Sequence, residues 1–304
     1  MTEQRLIKLS TGVTLNVVLA GDPKNPPVIL LHGFPESHRT WRELAPRLER
    51  RLFLVMPDQR GFAGSDLPRD VDDYRTDVLV DDIFALADAL GIDRFALVGH
   101  DWGGAIAWAI AIRGDPRLTR LGIVNSPHPV IFQKSLIEDE EQRLASQYMT
   151  AFRTPGFEKV VEANGFEWFF DRTFSRHVDV SIISEAERQQ YIADWSQPGA
   201  FSSMLNWYRG SKVIVPPPGV TVPLPDWLLR AFPKVKVPTL VVWGLKDKAL
   251  LPVQLDGLET LIDDVTIVRL PDAGHFAPWE DGEAVASALG PFLASQATAS
   301  AAAQ

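Results

Sequence analysis

The 304-residue chain contains no cysteine. Disulfides, thiolate nucleophiles and cysteine-bound metals are thereby excluded, although this absence does not by itself fix a compartment. Basic runs are also missing: 30 Lys and Arg stand against 39 Asp and Glu, a net charge of −9. Neutralising phosphates takes clustered positive charge, so no nucleic-acid partner is expected. No window approaches the roughly 20 apolar residues of a membrane span. The opening Met1-Thr2-Glu3-Gln4-Arg5 lacks the basic-then-apolar pattern of a secretory signal. A soluble, cytoplasmic protein without a membrane partner is the expectation. At 46% hydrophobic residues the chain can bury a large core, as one big domain or as a domain carrying an insertion. It shows no internal repeat.

What is present is an alternation of strand and helix patterns. Residues 5–20 read as two short strands around the turn Ser10-Thr11-Gly12. Pro27 to Leu31 and Leu52 to Met56 are short continuous apolar runs, the mark of strands buried on both faces of a parallel sheet. Asp77 to Leu90 has helical spacing (Val78, Leu79, Ile83, Leu86, Leu90) and stops at Gly91. A strand over Phe95–Val98, an apolar helix over Gly104–Ile112 and a strand over Thr119–Val124 follow. The alternation predicts a mostly parallel sheet with right-handed crossovers, flanked by helices. From about Asn125 to Phe232 helical stretches rich in charge and aromatics replace the strands, with a loop at Val215-Pro216-Pro217-Pro218-Gly219. Strand texture returns at Val237–Gly244 and Thr266–Leu270, followed by an amphipathic helix from about Glu283. The expected organisation is therefore a core over 1–124 and 233–293, interrupted by a helical cap over 125–232. The cap is placed over the carboxyl ends of the strands, where ligands bind in open α/β sheets. The tail 294–304, built only from Ala, Ser, Thr and Gln, is expected to be disordered.

One further absence is chemical. Val98-Gly99-His100-Asp101-Trp102-Gly103-Gly104 places small residues on either side of a central residue at a strand-to-helix junction. The frame resembles the nucleophile elbow of the α/β-hydrolases, usually G-x-S-x-G, but the serine is missing and Asp101 stands in its place. A carboxylate is a poor acyl-transfer nucleophile. It is competent for displacement at saturated carbon, which leaves an ester on its own side chain. The fold runs nucleophile, acid, histidine along the chain, and Asp101, Asp247 and His275 fit that order. Asp247 and His275 each follow a predicted strand. The other strand end at which this fold can keep its acid reads Asn125-Ser126, without a carboxylate, which favours Asp247. In this fold the loop after the first buried strand and the residue after the nucleophile each supply an oxyanion-hole amide; by position these are Phe34 and Trp102. His32 and His100 are read as structural, and His38, His128 and His177 as surface or core residues without a function.

The pair His32-Gly33-Phe34-Pro35-Glu36-Ser37 and Gly99-His100-Asp101-Trp102-Gly103-Gly104 resembles the epoxide hydrolases of the α/β-hydrolase superfamily, over about residues 5–290. The resemblance implies a cofactor-independent, metal-free enzyme in which two cap tyrosines hold the epoxide oxygen. Met204-Leu205-Asn206-Trp207-Tyr208-Arg209 nominates Tyr208, and Tyr148, ahead of Thr154-Pro155-Gly156, is the second; Tyr74 and Tyr191, the remaining tyrosines, fall outside these patterns. It further implies attack by Asp101, hydrolysis of the ester by water activated by His275 and Asp247, and a small-molecule epoxide as substrate. A monomer or homodimer is expected. Haloalkane dehalogenases share the Asp nucleophile and are the alternative, but they commonly carry Asn or another halide ligand where Phe34 stands. Fluoroacetate-type dehalogenases place arginines where Trp102 and Ala105 occur. Phe152, Trp168, Phe169, Phe170, Trp195 and Trp207 suggest an apolar pocket, with at least half of them expected in the cap's own core.

Overall fold

The computed structural model describes residues 2–295. Its centre is an eight-stranded sheet in the order β1-β2-β4-β3-β5-β6-β7-β8. Strands β1 (Thr2–Lys8) and β2 (Thr14–Ala20) form an antiparallel hairpin, and β2 joins β4 (Phe53–Pro57) antiparallel. From β4 onward the ladder is parallel, through β3 (Pro27–Leu31), β5 (Phe95–His100), β6 (Leu118–Val124), β7 (Thr239–Gly244) and β8 (Val265–Leu270). The chain is an α/β-hydrolase fold.

Both faces of the central strands are covered, which explains their unbroken apolar runs. In β3 and β5 alternate residues enter different cores. Ile29, Leu31 and Leu97 pack on one face, and Val28, Leu30, Ala96 and Val98 on the other. The first face is closed by α2 (Thr76–Ala89) and α3 (Trp102–Arg113), through residues such as Val80, Ile83, Ile106 and Ile110. The second is closed by the short α1 (Ala45–Leu48) and by α13 (Gly282–Ala294), through Leu48, Val285 and Leu289.

Between β6 and β7 the chain leaves the sheet for seven helices. They are α4 (Pro129–Glu138), α5 (Glu140–Ala145), α6 (Gln147–Arg153), α7 (Phe157–Asn164), α8 (Phe166–Phe174), α9 (Glu185–Trp195) and α10 (Ala200–Arg209). Residues 210–238 return along a path without long elements. After β7 come α11 (Leu258–Leu261), then β8, and α12 (Ala277–Glu280) precedes α13.

Four local expectations shift. The helix after the elbow begins at Trp102 rather than Gly104, because Asp101 itself forms the cap. Strand β7 begins at Thr239 rather than Val237; Pro238 has no N–H for the ladder, and only its carbonyl pairs, with Leu121 N. Strand β8 is half-exposed rather than buried, with Thr266 and Arg269 in solvent, because it is the sheet edge. Of the predicted disordered tail, Ala294 ends α13, while 296–304 lie outside the described residues. Among the described residues no helix is long and apolar enough to cross a membrane.

Candidate active site

Asp101 sits on the turn between β5 and α3 with φ 50° and ψ −120°, a backbone conformation rarely accessible to a side chain larger than glycine. The turn is tight enough that a Cβ on Gly103 would lie 2.1 Å from the Leu31 carbonyl oxygen. Ser126 Oγ fastens the elbow from β6, donating to the Asp101 carbonyl at 2.6 Å. Asp101 is the residue that caps the N-terminus of α3, whose first-turn amides, Trp102 included, have no helical carbonyl to bond. The Phe34 amide donates to Asp101 Oδ1 at 2.8 Å. A Cβ on Gly33 would fall 2.2 Å from that same oxygen, so the loop after β3 approaches the carboxylate only because residue 33 is glycine.

Two loops on the same sheet edge bring the acid and the histidine together. The loops after β7 and β8 are joined by Leu245 N to Leu270 O and Lys246 N to Ala273 O, each 2.9 Å. His275 Nδ1 lies 2.8 Å from Asp247 Oδ2 and donates to it, since an ionised carboxylate only accepts. Its Nε2 faces Asp101 Oδ2 at 3.8 Å. Glu280 brackets the histidine by accepting from Gly274 N at 2.9 Å and Phe276 N at 2.7 Å. Asp247 is fully buried, and its Oδ1 accepts from the Ala249 and Leu250 amides at 2.8 and 2.9 Å.

The remaining partner of Asp247 is Asn125, at the strand end where the sequence offers no carboxylate. Its Nδ2 donates to Asp247 Oδ2 at 2.9 Å and its Oδ1 accepts from Gly244 N at 2.9 Å. Asn125 has φ 41°, a left-handed position that asparagine tolerates better than most residues. The sequence offers one weak signal of its part in the site, an Asn directly after β6 with an acid in the loop after β7.

Electrostatics follow from this packing. Burial opposes ionisation of Asp247, but the His275 charge, its hydrogen bond, the Leu250 amide and Asn125 hold the carboxyl below its usual range. Burial likewise opposes a charge on His275. The Asp247 carboxylate and its hydrogen bond, with Asp101 and Glu280 adding, override that and raise the imidazole to about 9.

Tyr208, on α10, is buried between the rings of Phe34 and Trp102, with centroids at 5.0 and 5.1 Å in edge contacts. Tyr148, on α6, lies 6.1 Å from Tyr208 ring to ring. Arg153 ties the two helices, donating to the Tyr208 carbonyl at 2.9 Å. Burial pushes both phenols well above the usual range, with the Asp101 charge adding in each case. Tyr148, Tyr208, Asp101, His275 and Phe34 all line one cavity of about 800 Å³. A smaller apolar recess of about 90 Å³, beside Trp102, Ala105, Phe132 and Met149, opens on Asp101 and both tyrosines from another side.

The other sequence candidates separate cleanly. His32 is buried and holds its loop, accepting from Gln59 N at 3.0 Å. His100 is buried and its Nε2 lies 2.8 Å from the His275 carbonyl oxygen. His38 pairs with Asp58 at 2.8 Å, and His128 is in the core. His177 departs from its expected inert role: it lines the cavity, its ring 5.7 Å from that of His275. Burial, with His275 adding, depresses it to about 3. Tyr74 and Tyr191 are outside the cavity, bonded to the Pro68 carbonyl and to Glu36. Of the aromatics, Phe152, Trp168 and Phe169 line the cavity, whereas Phe170, Trp195 and Trp207 are packed behind it.

The sequence pattern of the α/β-hydrolase fold family matches residues 26–282. The chain is 30% identical over 293 residues to Epoxide hydrolase 3 of Xenopus tropicalis, covering 93% of this chain and 75% of that protein. It is 30% identical over 325 residues to Epoxide hydrolase A of Mycobacterium tuberculosis, covering 95% and 97%. A solved structure described as one of the novel epoxide hydrolases of the α/β-hydrolase superfamily in metagenomes from hot environments superposes with a TM-score of 0.86. It shares 44% identity with this chain, with 96% of this chain and 99% of that one covered. The chain belongs to the α/β-hydrolase fold family and, within it, to the epoxide hydrolases.

Proposed function

We propose that this protein hydrolyses an epoxide to a vicinal diol through a covalent ester on Asp101. The observation that carries the reading is the opening of Asp101, His275, Tyr148 and Tyr208 into one cavity. Opening an epoxide expels an alkoxide, which needs a proton or strong hydrogen bonds as it leaves. Phenols held well above their usual range stay protonated and supply both.

The two carboxylate oxygens of Asp101 have separate tasks. Oδ1 is held by the Phe34 amide, so Oδ2 is the free nucleophile. It attacks an epoxide carbon, that C–O bond breaks, and the ring oxygen takes its hydrogen bonds and proton from Tyr148 and Tyr208. In the second step His275, oriented by Asp247, removes a proton from water, which attacks the Asp101 carboxyl carbon. Oδ1 becomes the oxyanion where it already lies, stabilised by the Phe34 and Trp102 amides. Such donors are worth about 2.7–4 kcal/mol each when removed in comparable sites. The intermediate collapses with cleavage of the Asp101 Cγ–Oδ2 bond. Oδ2 leaves on the diol and takes the proton held by His275, the water oxygen stays on Asp101, and the water's second proton is returned to the tyrosine pair.

Alkylation itself prepares the base. In the resting enzyme the Asp101 charge helps hold the proton on His275. Once Asp101 is an ester that charge is gone, and the imidazole gives up its proton more readily. On this reading residues 125–232 act as a cap that brings the proton donors to a nucleophile built on the core. A halide leaving group needs no such donors, so the dehalogenase alternative gains no support from the tyrosine pair.

The test is a single turnover in ¹⁸O-water with enzyme in excess over styrene oxide. The first diol should be unlabelled, with the label on Asp101. Label in that first diol means direct attack by water and overturns the ester scheme.

A further inference from the structure

The cavity's charge runs against that of the chain. Acidic residues outnumber basic ones 39 to 30 overall, yet among the described residues Asp101 is the only carboxylate in the cavity lining, which includes Arg172, Arg176 and Lys248. These three are exposed and sit with exposed Leu144 and Val160, so they form the mouth, while the Asp101 side chain is only 11% exposed. None of the three has a carboxylate partner among the described residues, whereas the exposed Arg5, Arg47, Arg75 and Arg113 do. Arg172 is held over the Trp168 ring, its guanidinium carbon 5.6 Å from the centroid. The mouth charges also reach inward: Arg176 opposes the rise of the Tyr148 phenol, and Arg176 and Lys248 both depress His177. Between mouth and Asp101 the wall is mostly apolar, with Phe152, Phe157, Trp168 and Phe169.

We propose that Arg172, Arg176 and Lys248 select epoxides whose far end carries an anionic group, with the apolar chain along the aromatic wall and the ring at Asp101. The proposal rests on the epoxide-hydrolysing reading above. An anion is repelled by Asp101 and attracted to the mouth, so the charges set which end enters first. A cleft lined by one sign of charge also concentrates oppositely charged ligands and speeds their capture, in a salt-dependent way. Guanidinium groups suit either a carboxylate or a phosphate. The shared requirement is an oxyanion separated from the epoxide by an apolar spacer.

The experiment compares kcat/KM for a medium-chain terminal epoxide ending in a carboxylate, a phosphate monoester or a neutral primary amide. At about 0.01 M ionic strength, where charges act over about 30 Å, at least one anionic substrate should exceed the amide about tenfold. The larger of the two preferences identifies the head group. At about 1 M salt, where the range falls to about 3 Å, the preference should shrink towards one. In Arg172→Gln/Arg176→Gln, which leaves Lys248 beside Asp247 untouched, it should shrink at low salt as well. Equal rates for anions and amide in the wild type overturn the proposal, as does a preference that salt and the double substitution leave intact. If the variant fails to fold, the wild-type salt dependence decides alone. Hydrolysis of none of the three, nor of styrene oxide, overturns the epoxide reading itself and this proposal with it.

Discussion

The Phe34 amide and the Asp101 carboxylate are hydrogen-bonded at 2.8 Å in the resting enzyme. The donor suited to stabilise a developing oxyanion is thus already engaged with the atom that would become it. Preorganisation of this kind requires no rearrangement when charge develops. It also depends on the missing side chain at position 33.

Gly33→Ala puts a methyl 2.2 Å from Asp101 Oδ1, so the loop or the carboxylate must move. A displacement of about 1 Å costs about 10²-fold in well-oriented reactions, and a fall of at least that size in kcat/KM is expected. Steady-state kinetics on the folded variant would check it. Wild-type rates would mean that the contact between this loop and Asp101 has no part in turnover.

On the proposed scheme, His275→Gln removes the base and keeps the nucleophile. The ester should form and persist, visible in intact-protein mass spectra as an adduct of one substrate mass, with diol release slowed by at least about 10³-fold. An unmodified variant with normal turnover would remove His275 from the mechanism.

The imidazole of His275 should titrate at about 9 in the wild type and lower in Asp101→Asn, where one neighbouring charge is gone. Histidine NMR titration of the two proteins measures this directly; an unchanged value would sink the coupling between alkylation and base release. The same shift has a stability sign. Raised above its ordinary 6.5, His275 contributes stability that is fully present below about pH 6.5 and lost as pH rises to about 9. Thermal midpoints across that window should fall less steeply in His275→Gln.

Tyr148→Phe and Tyr208→Phe should each slow ester formation, by about 10- to 10²-fold, and the double variant by about 10²–10⁴-fold. Rapid-quench measurement of the adduct isolates this step from hydrolysis. Because both phenols are held above their usual range, the wild-type alkylation rate should show no basic limb from them below about pH 10. Single variants with unaltered alkylation would remove the tyrosines from the reaction.

Asn125→Ala leaves Asp247 Oδ2 with one donor fewer in a fully buried position. The expected loss is about 1–3 kcal/mol of stability, read by urea denaturation, with ester hydrolysis slowed more than ester formation. Equal slowing of both steps would mean that Asn125 supports the fold and not the acid.

Much of this architecture was readable in the chain because it rests on local rules. The apolar run from Pro27 to Leu31 could be placed as a doubly buried strand without any neighbour. The order Asp101, Asp247, His275 after strands β5, β7 and β8 carries enough pattern to single them out. Asn125, His177 and the cationic mouth were not readable. Asn125 matters through a bond to a residue 122 positions away. His177 enters the cavity only because the turn after α8 reaches the loop that carries His275. Arg172, Arg176 and Lys248 come together from two distant stretches, and no spacing rule links them.

The two phenols stand on helices between β6 and β7, whereas Asp101, Asp247 and His275 stand on the sheet's own loops. The bond-making groups and most of the cavity wall are therefore inherited on different stretches of chain. On the proposed scheme, substitutions at Leu144, Val160, Arg172 and Arg176 can redraw which molecules enter without touching Asp101, Asp247 or His275. A lineage carrying this arrangement can change its diet by drift in one segment, provided that Tyr148 and Tyr208 are kept.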